Sequence, residues 1–228
     1  MNRLSGSAVK RNTCVLCAKL LRSRLCLGDP GMNVQGYALF DTVIGTAAIA
    51  WSPHGIVATR LPERDKREVR ARMRERFPDT AETTPPPAVQ SVIDNIVSHM
   101  AGDSCDLMDA KLDLDGVPDF HRRVYDATRA IPPGETLSYG DVAEKLDSPG
   151  GARAVGQALG QNPFPIIVPC HRVLGANGKV GGFSAKGGTA TKMRLLNIEG
   201  AKVSHTPVLF DQLPLVAPPR RPRAKQPR

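Results

Sequence analysis

The residues best suited to chemistry are Cys170 and His171, within Asn162-Pro163-Phe164-Pro165-Ile166-Ile167-Val168-Pro169-Cys170-His171-Arg172-Val173. A thiol is a useful nucleophile only as thiolate, so Cys170 needs a base or a positive field close by. Ile166-Ile167-Val168 reads as a short β-branched strand fenced by prolines. Neighbours on an extended chain point to opposite sides, so His171 is expected to reach Cys170 through a bridging water. A third group has to orient the imidazole, and Glu199 is the downstream candidate. On these residues alone, a hydrolase nucleophile fits as well. So does a buried structural cysteine beside a core histidine.

The elements that must position this pair are legible upstream. Asp119–Ala130 sets Phe120, Val124, Ala127 and Ile131 at helical spacing, and Pro132-Pro133-Gly134 ends that helix. Ser138 with Asp141 three residues on is a capping-box pattern. It opens a short helix through Val142, Ala143 and Leu146 that stops at Asp147-Ser148-Pro149-Gly150. A further helix, Ala152–Leu159, follows at once. The outline is that of a helix-turn-helix, although an ordinary packed pair is the simpler reading of the pattern. Closer to the N-terminus, Tyr37–Trp51 and Gly55–Leu61 read as a β-hairpin. Glu63–Phe77 reads as a charged helix with a solvated face. Ala88–Met100 follows a proline run as a helix with Val89, Val92, Ile93, Ile96 and Val97 on one stripe. Asp103–Asp115 holds a short alternating strand around Leu112 and Leu114, and a domain boundary is placed near Gly116.

Pro169-Cys170-His171-Arg172-Val173 after Asn162-Pro163, with Arg153-Ala154-Val155-Gly156 upstream, resembles the O6-alkylguanine-DNA alkyltransferases. These are also called methylated-DNA-protein-cysteine methyltransferases. The likeness is strong over Phe120–Gly200 and weak over residues 35–115. It implies an α+β fold: a small β-sheet domain with helices, ribonuclease-H-like, then a mostly helical domain. That second domain would hold a winged-helix-like helix-turn-helix and the active-site strand.

The resemblance also implies roles. Cys170 matches the acceptor of the alkyl group, His171 the base acting through water, and Glu199 the carboxylate that orients it. Asn162 matches the brace of the active-site turn. Tyr139 matches the tyrosine that rotates the target phosphate and donates a proton toward the leaving guanine. Arg153 matches the finger that fills the space of the extruded base. Ala152, Ala154 and Gly156 would let the second helix approach the minor groove, whose degenerate readout suits repair at any sequence. Val173, Phe183 and Ser184 match the guanine pocket. Phe183 stands where many members have tyrosine, and the segment 181–188 is about two residues longer than in the best-known members.

Composition bounds this reading. The 228 residues are 41% hydrophobic and 23% charged, as in an ordinary soluble globular protein, with no run long enough to span a membrane. Lys and Arg number 31 against 22 Asp and Glu, a formal +9. Residues 1–31 carry +5 and residues 204–228 carry +4, so the body between them is neutral. Within the body, residues 32–147 carry −6 and residues 148–203 carry +6, which places any face for a polyanion in the second stretch.

The expected organisation is a disordered or spurious extension at 1–31, domains at 32–115 and 116–203, and a basic proline-rich tail at 204–228. Five cysteines without framework spacing, and no convincing signal peptide, point to a reducing cytoplasmic setting. Cys14, Cys17 and Cys26 lack a fourth zinc ligand, so no metal and no cofactor is expected. The expectation is a monomeric, single-turnover repair protein acting on O6-alkylguanine, and O4-alkylthymine, in double-stranded DNA. The alternatives are a non-catalytic lesion binder, which would lack the acceptor cysteine, and an adaptive-response activator, which residues 1–31 are too short to hold.

Overall fold

The computed structural model describes residues 33–103, 105, 107–180 and 188–201. The expectations for residues 1–31 and 204–228, and for Phe183 and Ser184, lie outside that set. Among the described residues no helix is long and apolar enough to cross a membrane.

The first half is built on three antiparallel strands, β1 Gly36–Thr42, β2 Gly45–Ser52 and β3 Gly55–Glu63, in that order. The single strand expected over Tyr37–Trp51 is therefore two strands. The chain reverses at Val43-Ile44, where Thr42 pairs with Gly45. Gly45 adopts a φ of +138°, and a Cβ there would sit 2.5 Å from the Glu63 carbonyl oxygen, so both conformation and space demand glycine. The turn is hard to see in sequence because Val-Ile carries none of the usual turn residues.

Side chains alternate across β2. Ala48 and Ala50 face α1 (Lys66–Arg76), packing with Val69, Met73 and Phe77. Ile49 and Trp51 face the other way, into the core shared with α2 (Pro87–Met100). A strand covered on both faces reads as a continuous apolar run, and this one does.

Beyond α2 the strand expected around Leu112 and Leu114 is a single bridge, Ile56 to Leu112. Ile56 donates to the Lys111 carbonyl and Asp113 donates back to Ile56, each at 2.8 Å. The Asp113 carboxylate then takes the Ser52 hydroxyl and the Asp115 amide, which turns the chain off the sheet before a ladder can extend.

The second half contains α3 Asp119–Arg129, β4 Leu137–Ser138, α4 Tyr139–Lys145, α5 Ala152–Gly160, β5 Val173–Leu174 and α6 Gly188–Ile198. The capping box forms in full: Ser138 Oγ accepts from the Asp141 amide at 3.0 Å, and Asp141 accepts from the Ser138 amide at 2.7 Å. β4 and β5 pair in parallel through Leu137 and Val173, tying the start of α4 to the chain just after Cys170. One hydrophobic core runs from Ile49 and Trp51 of the sheet through Val124, Val142 and Val155 of the helices.

Candidate active site

The stretch 162–172 is a braced loop, and the active-site strand expected at Ile166–Val168 is absent. Prolines at 163, 165 and 169 withhold three of the amide donors a ladder needs. Only an isolated bridge between Pro165 and Val168 forms, and Cys170–Arg172 makes one turn of 3-10 helix. His171 therefore leaves the backbone from a helical turn and not from the far side of a strand.

Asn162 holds the loop shut. Its Nδ2 donates to the Val168 carbonyl and its Oδ1 accepts from the Phe164 amide, both at 2.9 Å. Strand β3 clamps the same loop: the Thr59 amide donates to the Pro163 carbonyl at 2.9 Å, and its hydroxyl donates to the Pro165 carbonyl at 2.6 Å. Between these anchors Ile166 is buried with a φ of +80°. A β-branched residue in that region costs about 1–3 kcal/mol, and it persists only where the surroundings over-determine it.

Asn162, Lys192, Tyr125 and Tyr139 interact electrostatically with Cys170. Burial pushes the thiol up from its ordinary value, while the Asn162 side chain, the Lys192 charge and the amides of the turn oppose that rise. Lys192 is wholly buried on α6, and its Nζ donates to the Val173 carbonyl at 2.6 Å. That ammonium lies 5.8 Å from the centre of the Tyr139 ring. Burial pulls the Lys192 ammonium down, opposed by the charge on Cys170. Tyr139 is raised first by burial and then by the same charge, which favours keeping its hydroxyl protonated. The Tyr139 ring leans on α5: a Cβ at Gly156 would lie 3.8 Å from it.

Behind the thiol lies a buried polar cluster centred on Glu199, which follows the last turn of α6 and precedes Gly200 at a φ of +69°. His171 Nε2 is 2.7 Å from Glu199 Oε1. Arg172 grips both oxygens, Nε to Oε2 at 3.0 Å and Nη2 to Oε1 at 2.9 Å, and donates from Nη1 to the Ile131 carbonyl. His99, from the end of α2, places Nε2 at 2.9 Å from Oε1. Burial raises the Glu199 carboxyl, but the hydrogen bonds from His171, His99 and Arg172 outweigh it and hold the group far below the usual carboxylate range. Burial pulls His171 down, and the bonded Glu199 only partly restores it, so the ring is a neutral imidazole. An ionised carboxylate only accepts, so His171 donates from Nε2 and keeps its lone pair on Nδ1. Among the described residues that buried Nδ1 has no hydrogen-bond partner.

The structure thus gathers Cys170, Asn162 and Tyr139 around the thiol, and His171 with Glu199 behind it. Val173 is wholly buried and meets the site through its carbonyl. Arg153 is exposed on α5, with Ala152, Ala154 and Gly156 partly exposed beside it and Val155, Ala158 and Leu159 turned into the core.

Only part of the +6 of residues 148–203 lies at the surface. Arg172 and Lys192 are buried, which leaves Arg153, Lys179 and Arg194 as its exposed cations among the described residues. Sequence reasoning gave no role to His99, Lys192 or Thr59. A histidine on the apolar stripe of α2, three residues past Ile96, was the available signal for the first.

Comparison with known proteins identifies the family. Residues 119–201 match the family described as 6-O-methylguanine DNA methyltransferase, DNA binding domain. The methylated-DNA-protein-cysteine methyltransferase of Mycobacterium tuberculosis is 41% identical over 178 residues, covering 77% of this chain and 98% of that protein. Its namesake from Methanothermobacter thermautotrophicus is 34% identical over 155 residues, covering 68% of this chain and 80% of that one. A crystal structure of Mycobacterium tuberculosis OGT in complex with DNA superposes with a TM-score of 0.58 at 37% identity, covering 72% of this chain and 92% of that one. Fold and site together define a mixed α/β protein with a thiol backed by histidine and glutamate. The chain belongs to the methylated-DNA-protein-cysteine methyltransferase family, a family of DNA-repair methyltransferases.

Proposed function

We propose that the chain draws an O6-alkylguanine out of double-stranded DNA and takes its alkyl group onto Cys170 in one irreversible displacement. The Cys170 proton passes through a water to His171 Nδ1, and Glu199 steadies the imidazolium that results. The thiolate sulfur then attacks the alkyl carbon in line. The S–C bond forms, the C–O6 bond breaks, and its electron pair leaves with the guanine, which takes a proton from the Tyr139 hydroxyl. The thioether is stable, so each molecule acts once, as a monomer. A reducing compartment such as the cytoplasm suits it by keeping Cys170 a thiol.

The observation that carries this reading is the bond from His171 to an ionised Glu199, which commits Nε2 as donor and leaves Nδ1 to act as base. Lys192 adds a buried positive charge that favours thiolate over thiol. Asn162 keeps the loop and the thiol in register.

A base inside the duplex cannot present its O6 to a partly buried thiol, so flipping at a cost of a few kcal/mol is required. In this reading Arg153, exposed on α5, fills the gap that the base leaves. Small residues Ala152, Ala154 and Gly156 would let α5 lie close to the minor groove. In architectural terms this reading takes residues 32–115 as a ribonuclease-H-like unit. It takes residues 116–203, with α4, α5 and the β4–β5 pair, as a winged-helix-like one.

The test is intact-mass analysis after mixing the protein with a duplex bearing O6-methylguanine. A gain of one methylene equivalent, about 14 Da, mapped to Cys170 is the expected result. Tight DNA binding with no adduct under excess substrate would favour a lesion binder instead.

A further inference from the structure

The Glu199 carboxylate is shared by two imidazoles, and the second comes from the other half of the molecule. Position 99 falls on the stripe that α2 buries, with Ile93, Ile96 and Met100, and its side chain is 2% exposed. His99 Nε2 meets the same oxygen, Glu199 Oε1, as His171 Nε2, at 2.9 Å against 2.7 Å. Arg172 Nη2 reaches that oxygen too, at 2.9 Å. The titratable and charged groups of the cluster are therefore Glu199 beyond α6, His171, Arg172 and Cys170 on the active-site turn, and His99 itself. Because the carboxylate only accepts, both rings must donate from Nε2. His99 Nδ1, like that of His171, is buried with no partner among the described residues.

We propose that His99 is a positioning residue for alkyl transfer: it holds Glu199 from the first half and draws off part of the carboxylate that His171 would otherwise share with Arg172 only. This rests on the reading of Cys170 as acceptor. One carboxylate oxygen that serves three donors stabilises an imidazolium at His171 less than one that serves two. His171 thereby stays neutral, ready to take the thiol proton, at a pH where a Glu199 shared only with Arg172 would already have protonated it. The first half of the chain thus sets the proton affinity of the base in the second.

The experiment uses the full chain and compares His99→Phe, which keeps a ring without a donor, with His99→Gln, whose amide Nε2 can donate to the same oxygen. Single-turnover methyl transfer from an O6-methylguanine duplex is followed across pH about 5 to 9. In His99→Phe the acid limb of the profile should move up by about one pH unit, so transfer should slow about tenfold on that limb and by no more than about threefold at pH 7. His99→Gln should restore both.

An unmoved limb in His99→Phe overturns the proposal. So do equal losses in the two variants, which mark a role in folding alone. Nitrogen NMR of the unaltered protein supplies a readout that needs no variant. At neutral pH both His99 and His171 should carry the proton on Nε2, and any other tautomer at His99 overturns the proposal. Failure of the unaltered protein to alkylate Cys170 would instead overturn the functional reading.

Discussion

Two arginines from the same basic stretch have opposite fates. Arg153 stands exposed on α5, whereas Arg172, two residues after the acceptor cysteine, is buried with its guanidinium spread over both oxygens of Glu199. Net charge counts them alike, but their physics differs. An exposed cation keeps its hydration until a phosphate or a vacated base stack replaces it, and it is nearly free to retain. A buried one has given up water for a fixed set of acceptors, and its charge is spent holding the acid-base machinery in place. In the proposed function the surface helix serves recognition and the interior cluster serves chemistry.

The largest effect should come from breaking the interior. Glu199→Gln removes the charge that Arg172, His171 and His99 converge upon, leaving a buried guanidinium uncompensated. Loss of a buried pair's partner costs about 3–5 kcal/mol, to be read in denaturant unfolding. Transfer to Cys170 should fall by about a hundredfold or more in single-turnover assays, because the base loses its orientation.

Acid should act through the same cluster. The folded Glu199 carboxyl is depressed, so its contribution to stability is present above 4.5 and lost as pH falls through the folded value. The folded His171 is depressed as well, so the unfolded chain takes up its proton first, and stability begins to fall once pH drops below 6.5. Thermal unfolding at pH 7, 5.5 and 4 should show a steady decline. In Glu199→Gln the decline below 4.5 should become shallower, what remains being carried by Asp41, Glu82 and Asp141, which are depressed too.

Asn162→Ala tests the loop that separates the two regions. It removes two hydrogen bonds across a loop strained at Ile166. A loss of about 1–3 kcal/mol in stability is expected, with a slower transfer rate and unchanged affinity for undamaged duplex.

The smallest effect lies on the surface. At Gly156 an added Cβ would make an ordinary contact with the Tyr139 ring at 3.8 Å, so internal packing does not require glycine. Gly156→Ala should keep its melting temperature while duplex affinity, measured by anisotropy, weakens a few-fold. Unchanged affinity would remove α5 from the groove.

The same contrast explains what could be read from sequence. Elements governed by local rules were legible: the capping box at Ser138 and Asp141, the stripe of α2, and the short helices α4 and α5 with the Pro149-Gly150 break between them. Cys170 with His171 marked the place, but those two residues alone fitted a hydrolase or a structural cysteine as well, and the alkyl-acceptor role came from the family resemblance. The turn at Val43-Ile44 was not, because what enforces it is the Glu63 carbonyl across the sheet. The strand expected at Ile166–Val168 failed because β-branched propensity yields where prolines remove the donors. His99 escaped notice because its partner lies 100 residues away. How much of the +6 of the second stretch lies at the surface was not legible, since sequence does not say which cations turn inward.

The contrast between the two arginines is tested most directly by one pair of rates in each variant. Transfer to Cys170 is timed from an O6-methylguanine duplex and from free O6-benzylguanine, which needs no flipping, in Arg153→Ala and in Glu199→Gln. Arg153→Ala should lose about tenfold or more on the duplex and keep the free-base rate, as the proposed role in extrusion requires. Glu199→Gln should lose both rates to a similar degree. Equal losses on both substrates in Arg153→Ala would contradict the division between a recognising surface and a reacting interior.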